Sequence, residues 1–201
     1  MPDLRTILQK NLKGARKIAL LAVGSDLRSD DAAGLLVAQK LSEARRTRLR
    51  AQASRFRVFV GETAPENQTG AVRRFAPTHL VVIDSADAGK PAGTVFSIEP
   101  EEAGGISFST HQLPLRLMIE YLRETITCAV GIIGIQPKSL TFGGPVSREV
   151  ERAVGRVAAD LEAAIAQALG GKSPRKIKPG KKKAARKAPA RKGRGTSRSR
   201  R

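Results

Sequence analysis

Residues 17–36, KIALLAVGSDLRSDDAAGLL, constrain the fold more than any other segment. Ile18 to Val23 form a short continuous apolar run, the pattern of a strand covered on both faces. Gly24 breaks the strand, residues 25–29 make a polar loop, and Ser29 is expected to cap a helix opening at Asp30. A strand followed directly by a helix belongs to a parallel sheet, and open α/β sheets place their ligands at the carboxyl ends of their strands. The loop delivers two adjacent carboxylates, Asp30 and Asp31, to that edge.

The rest of the chain repeats the alternation. Leu4, Ile7, Leu8 and Leu12 have helical spacing. A helix from Asp30 to about Arg46 turns Leu35, Leu36, Ala38 and Leu41 towards the sheet. Residues 56–60 read as a second strand ending in GETAPEN, and residues 68–75 as a short helix stopped by Pro77. HLVVID, 79–84, is a third buried strand ending in Asp84. Residues 95–98 suggest a short antiparallel edge strand. Ser109 and Thr110 precede a helix containing Leu113, Leu115, Leu117, Met118, Tyr121 and Leu122. Residues 128–135 form a further strand leading into GIQPKSLTFGGP. A last helix from about Ser147 buries Val150, Val154, Val157, Leu161, Ile165 and Leu169, and Gly170 and Gly171 end it. The order β-α-β-α-β-β-α-β-α predicts a mostly parallel sheet with helices on both faces.

Charge divides the chain in two. Of 37 Lys and Arg residues, fifteen lie in residues 172–201, and no acidic residue follows Glu162. The domain, residues 1–171, holds the other 22 against all 18 acidic residues and is only mildly basic. The whole-chain net charge of +19 therefore belongs to the tail. Residues 172–201 contain one bulky aliphatic residue, Ile177, and are expected to form a disordered basic extension. Such an extension is either a solvated appendage or a weak, sequence-independent contact for nucleic acid or another polyanion. With one cysteine, Cys128, no disulfide can form within the chain. The first sixteen residues lack a signal-peptide pattern, and no run reaches the roughly 18 apolar residues of a membrane span. The expectation is a cytoplasmic protein without membrane insertion.

Asp30 and Asp31, Asp84 and His111 all fall just after strands or at helix starts, so a parallel sheet would gather them on one edge. Each has an ordinary reading. Acidic residues in a first helical turn complement the helix dipole, Asp84 could end its strand with turn hydrogen bonds, and His111 could cap its helix. Together, two carboxylates and an imidazole suit a transition metal, with one position left open for water or substrate. The loop has neither glycine-rich phosphate spacing, so it favours a cation over a nucleotide. His79 reads as a strand-edge residue and Cys128 as core. Neither Ser85 nor Ser109 lies in a G-x-S-x-G elbow, which argues against a serine triad.

AVGSDLRSDDAAGLLVAQKL, GETAPEN, HLVVIDSADAGKPAGTVFSIEP, STHQLPL and GIQP, in this order, resemble the hydrogenase maturation endopeptidases, the hydrogenase 3-type group most of all. The likeness covers about residues 4–169. It implies a three-layer α/β/α sandwich around a twisted, mostly parallel sheet. It also implies an endopeptidase that removes the C-terminal extension of the nickel–iron hydrogenase large-subunit precursor after nickel insertion. By motif position Asp31, Asp84 and His111 correspond to the family's catalytic and metal-binding set. The metal is nickel already held by the substrate, or else another divalent ion. Asp30 would then orient these ligands. The chain departs from the pattern at Ser25, where the family often has Asn, and at Ala32, where it often has Gly. The competing readings are a small α/β binding module whose basic tail docks on nucleic acid, and another hydrolase with this sheet topology.

Overall fold

The structure is a computed structural model that describes residues 3–98, 107–108 and 112–170. His111 and the basic extension, residues 172–201, lie outside the described residues. The elements run α1 (Leu4–Asn11), β1 (Ile18–Val23), α2 (Ala33–Arg46), β2 (Phe56–Glu62), α3 (Thr69–Phe75), β3 (His79–Asp87), β4 (Val95–Ile98), β5 (Ser107–Phe108), α4 (Gln112–Thr125), β6 (Ala129–Ile135) and α5 (Arg148–Gly170). The main sheet has the order β2-β1-β3-β6-β4, and β5 pairs with the far end of β3. β1, β2, β3 and β6 are mutually parallel, while β4 runs antiparallel to β6 at the edge.

β1 sits between two parallel neighbours and all six of its residues are buried. Its even members, Ile18, Leu20 and Ala22, face α1, α2 and α5, together with Val81 and Ile83 of β3. Its odd members, Ala19, Leu21 and Val23, face the other layer with Leu80 and Val82, against Val72 of α3 and Met118, Ile119 and Leu122 of α4. The period-two alternation of a strand thus feeds two cores, one on each side of the sheet. This is the expected three-layer arrangement.

Three details depart from the sequence reading. β3 continues to Asp87, so Asp84 lies within the strand rather than at its end. The sheet-facing stripe of α2 is Ala33, Gly34, Val37, Ala38 and Leu41, whereas Leu35 and Leu36 pack only half-buried at its margin. Small residues lead the stripe because the start of α2 presses directly on the strands. A Cβ on Gly34 would lie 2.3 Å from the Val23 carbonyl oxygen and 2.6 Å from that of Ile83. Ser29 does not cap α2. It begins a single 3-10 turn, Ser29–Ala32, with φ of 46°, and its hydroxyl donates to the Thr141 carbonyl at 3.0 Å. The last helix follows the expectation, with all six predicted core positions buried and the Ser147 hydroxyl accepting from the Val150 N–H at 3.4 Å.

Candidate active site

The loop between β1 and α2 is held in a narrow conformation by its own backbone. Gly24 has φ of 132°, and a Cβ there would stand 2.0 Å from the Asp31 carbonyl oxygen, so only glycine fits. The Ser25 N–H donates to that carbonyl at 3.3 Å, and the Ser25 hydroxyl accepts from the Leu27 N–H at 3.2 Å. Serine therefore closes the turn at the position where the family motif often carries asparagine. The effect is to fold the loop back and set Asp31 beside the end of β1.

Asp30 and Asp31 are adjacent in sequence and do different work. Both are fully buried. The Asp30 carboxylate is a clamp. Its Oδ2 accepts from the Lys138 N–H at 2.8 Å, the Ser139 N–H at 3.1 Å and the Ser147 hydroxyl at 2.9 Å, and its Oδ1 accepts from the Ser147 N–H at 2.6 Å. These donors come from the loop after β6 and the residue preceding α5. A charged acceptor with four donors is strongly held, since each hydrogen bond to an ionised group contributes about 1.5–3 kcal/mol. Asp30 is thereby committed to structure, and Asp31 is the carboxylate turned towards β3.

Asp84 is the last residue of the run HLVVID and is also fully buried. Its Oδ1 accepts the Ser85 N–H at 2.7 Å, while its Oδ2 is buried with no hydrogen-bond partner. Burial, and then the negative charge of Asp31, push its carboxyl from the ordinary range up to about 8, against a smaller opposing pull from the Ser85 N–H. The sheet edge that gathers the two acids also covers both of them. A like-charged, desolvated pair with an unsatisfied oxygen is costly by itself and becomes favourable when a cation or a shared proton sits between its members.

Of the predicted set, Asp31 and Asp84 are brought together. His111, the third member, lies outside the described residues. Among the described residues, no group of three or more His, Cys, Asp or Glu side chains could hold a metal ion. His79 stands half-buried at the start of β3, the opposite end of that strand from Asp84, with its Nδ1 3.0 Å from the Thr78 hydroxyl. Cys128 precedes β6, half-buried, and burial pushes its thiol up to about 11, as befits an inert packing residue.

Gln136, the residue after β6, is not among the candidates read from the sequence. It is buried, and its Oε1 accepts from the Ala88 N–H at 2.8 Å and the Lys90 N–H at 3.2 Å. Its Nε2 donates to the Asp87 carboxylate at 2.9 Å, which helps hold that acid below the usual range. Gln136 therefore fixes the turn that follows Asp87 at the end of β3. The available signal was a polar residue ending an apolar strand inside the GIQP motif.

An open, mostly parallel α/β sheet with two buried carboxylates gathered near its carboxyl edge defines a small α/β domain with an acidic candidate site. Residues 37–164 match the family described as hydrogenase maturation protease, a span that includes Asp84 and begins just after Asp31. The chain is 34% identical over 144 residues to the hydrogenase 3 maturation protease of Escherichia coli K12, covering 71% of this chain and 87% of that protein. It is 33% identical over 154 residues to a putative hydrogenase maturation protease of Methanocaldococcus jannaschii, covering 74% of this chain and 88% of that protein. The crystal structure of a nickel–iron hydrogenase maturation protease from Thermococcus kodakarensis superposes with a TM-score of 0.70 at 28% identity, covering 79% of this chain and 98% of that one. The chain belongs to the hydrogenase maturation protease family and is a peptide hydrolase.

Proposed function

We propose that this protease removes the C-terminal extension of a nickel–iron hydrogenase large-subunit precursor, in the cytoplasm, after nickel has been inserted. Asp31, Asp84 and His111 are the residues we assign to the metal. The observation that carries this reading is the buried pair: Asp84 presents an unpartnered Oδ2, and the charge of Asp31 resists its ionisation. A divalent cation removes both penalties at once. The cation is nickel carried in by the precursor, which makes the enzyme a check on its substrate's completeness; a resident divalent ion is the alternative source of the same chemistry.

The chain's own residues then have separable tasks. Gly24 and Ser25 fold the loop that presents Asp31, and Asp30 fixes that loop against residues 138–147. Burial, and then the charge of Asp31, keep the Asp84 carboxyl mostly protonated at neutral pH, and it would give up that proton on holding a cation. Hydrolysis adds the hydroxide of a water to the acyl carbon of the scissile bond and a proton to its amine. A bound metal ion contributes by polarising the carbonyl or the attacking water.

The test is to incubate the full chain with nickel-loaded and nickel-free precursor and follow loss of the C-terminal peptide by mass spectrometry. Cleavage is expected only of the loaded form. Equal cleavage of both would remove nickel from the recognition step and leave ordinary peptide recognition.

A further inference from the structure

Five large apolar side chains stand exposed among the described residues, and two of them, Leu27 and Phe142, belong to the loops that frame the active site. Leu27 is 58% and Phe142 75% exposed. Leu27 lies in the loop that ends at Asp31, and Phe142 in the loop whose N–H groups hold Asp30.

The two loops are fastened to each other. The Gly143 N–H donates to the Leu27 carbonyl at 2.8 Å, the Ser29 hydroxyl to the Thr141 carbonyl at 3.0 Å, and the Asp30 N–H to the Ser139 carbonyl at 3.2 Å. Gly143, next to Phe142, has φ of 70°, and a Cβ on Gly144 would stand 2.5 Å from the Ser29 hydroxyl oxygen. The backbone is thus built to bring these loops into contact, with the largest apolar residue of each left in water. Rigid, exposed aromatic and aliphatic side chains at a site are the usual anchors of recognition, because little entropy is lost when they are covered.

We infer that Leu27 and Phe142 form a docking edge for an apolar surface of the precursor protein beside its cleavage point. This rests on the function proposed above. The precursor is the occupant because the edge is continuous with the loop bearing Asp31, so a protein whose bond reaches that acid must pass over it. A second copy of this chain fits poorly. Two partly exposed side chains supply far less than the ~800 Å² per partner of a stable association. A small patch suits a substrate that must leave after cleavage.

The experiment measures kcat and KM for the full chain on nickel-loaded precursor, with sedimentation velocity alongside. Wild type is compared with the double variant Leu27→Ser/Phe142→Ser, and with Val60→Ser as a control. Val60 is also exposed, but lies within edge strand β2 rather than in either loop. The expected result is a rise in KM of about tenfold or more for the double variant, the size of a lost hot spot, with the control unchanged. Wild-type KM in the double variant overturns the docking edge and leaves the proposed function standing. A wild-type dimer that the double variant dissociates overturns it too, by assigning the patch to a second copy. Failure of wild type to cleave the precursor overturns the proposed function, and this inference with it.

Discussion

The Asp30 carboxylate accepts both the backbone N–H of Ser147, at 2.6 Å, and its hydroxyl, at 2.9 Å, across 117 residues of sequence. One carboxylate thereby ties the loop after the first strand to the start of the last helix. Its further bonds to the N–H groups of Lys138 and Ser139 bring in the segment after β6. The segments around the candidate site are thus tied together by the residue adjacent to Asp31.

That relationship separates the two aspartates. Asp30→Ala leaves three N–H groups and a hydroxyl without their acceptor, and breaking a buried charged network costs about 3–5 kcal/mol. The expected outcome is a large fall in the denaturation midpoint together with lost processing. Asp30→Asn keeps one acceptor oxygen and should fall between wild type and alanine. Chemical denaturation of the three chains, followed by circular dichroism, checks the order.

Asp84→Asn is expected to act in the opposite sense on stability. Its carboxyl is raised to about 8 in the fold. The folded chain therefore holds this proton more tightly than the unfolded chain, and the group's effect on stability becomes unfavourable as pH climbs from about 4 to about 8. Asparagine carries no charge and removes that loss. In metal-free samples at neutral pH the variant should melt higher than wild type, the difference vanishing below about pH 4. Processing of the precursor should be abolished. A variant that melts lower at neutral pH would contradict the repulsion between Asp31 and Asp84.

Cys128 should behave as packing and not as a nucleophile. With its thiol pushed up to about 11, only about one thiol in a thousand is ionised at pH 8. Alkylation by iodoacetamide should be slow at pH 8 and accelerate towards pH 11. Cys128→Ala should cleave precursor at the wild-type rate.

Truncation after Gly171 removes fifteen basic residues and none of Asp31, Asp84 and His111. Peptide processing by the shortened chain should equal that of the full chain. If the extension gives the protein affinity for duplex DNA, that affinity should fall steeply between ~50 and ~200 mM salt and be lost on truncation. Binding that survives truncation would place the contact on the domain.

Much of this protein is written in its apolar pattern. Ile18–Val23, HLVVID and the four- and three-residue spacing from Val150 to Leu169 specify which segments are strands and which are helices, because strand and helix faces recur at fixed intervals. Strand ends then mark Asp31 and Asp84 as candidates, and the ordered motifs point to the family. The sequence could not divide the labour between Asp30 and Asp31. Their neighbours are nearly identical, and only the approach of Lys138, Ser139 and Ser147 commits one of them to structure. Nor could it show that the acids are buried, that Ser29 bonds to Thr141 instead of capping α2, or that Gln136 holds the turn after β3. Local periodicity reports what each segment can become. The long-range hydrogen bonds and the mutual charge that shape the site exist only once segments far apart in the chain are packed together.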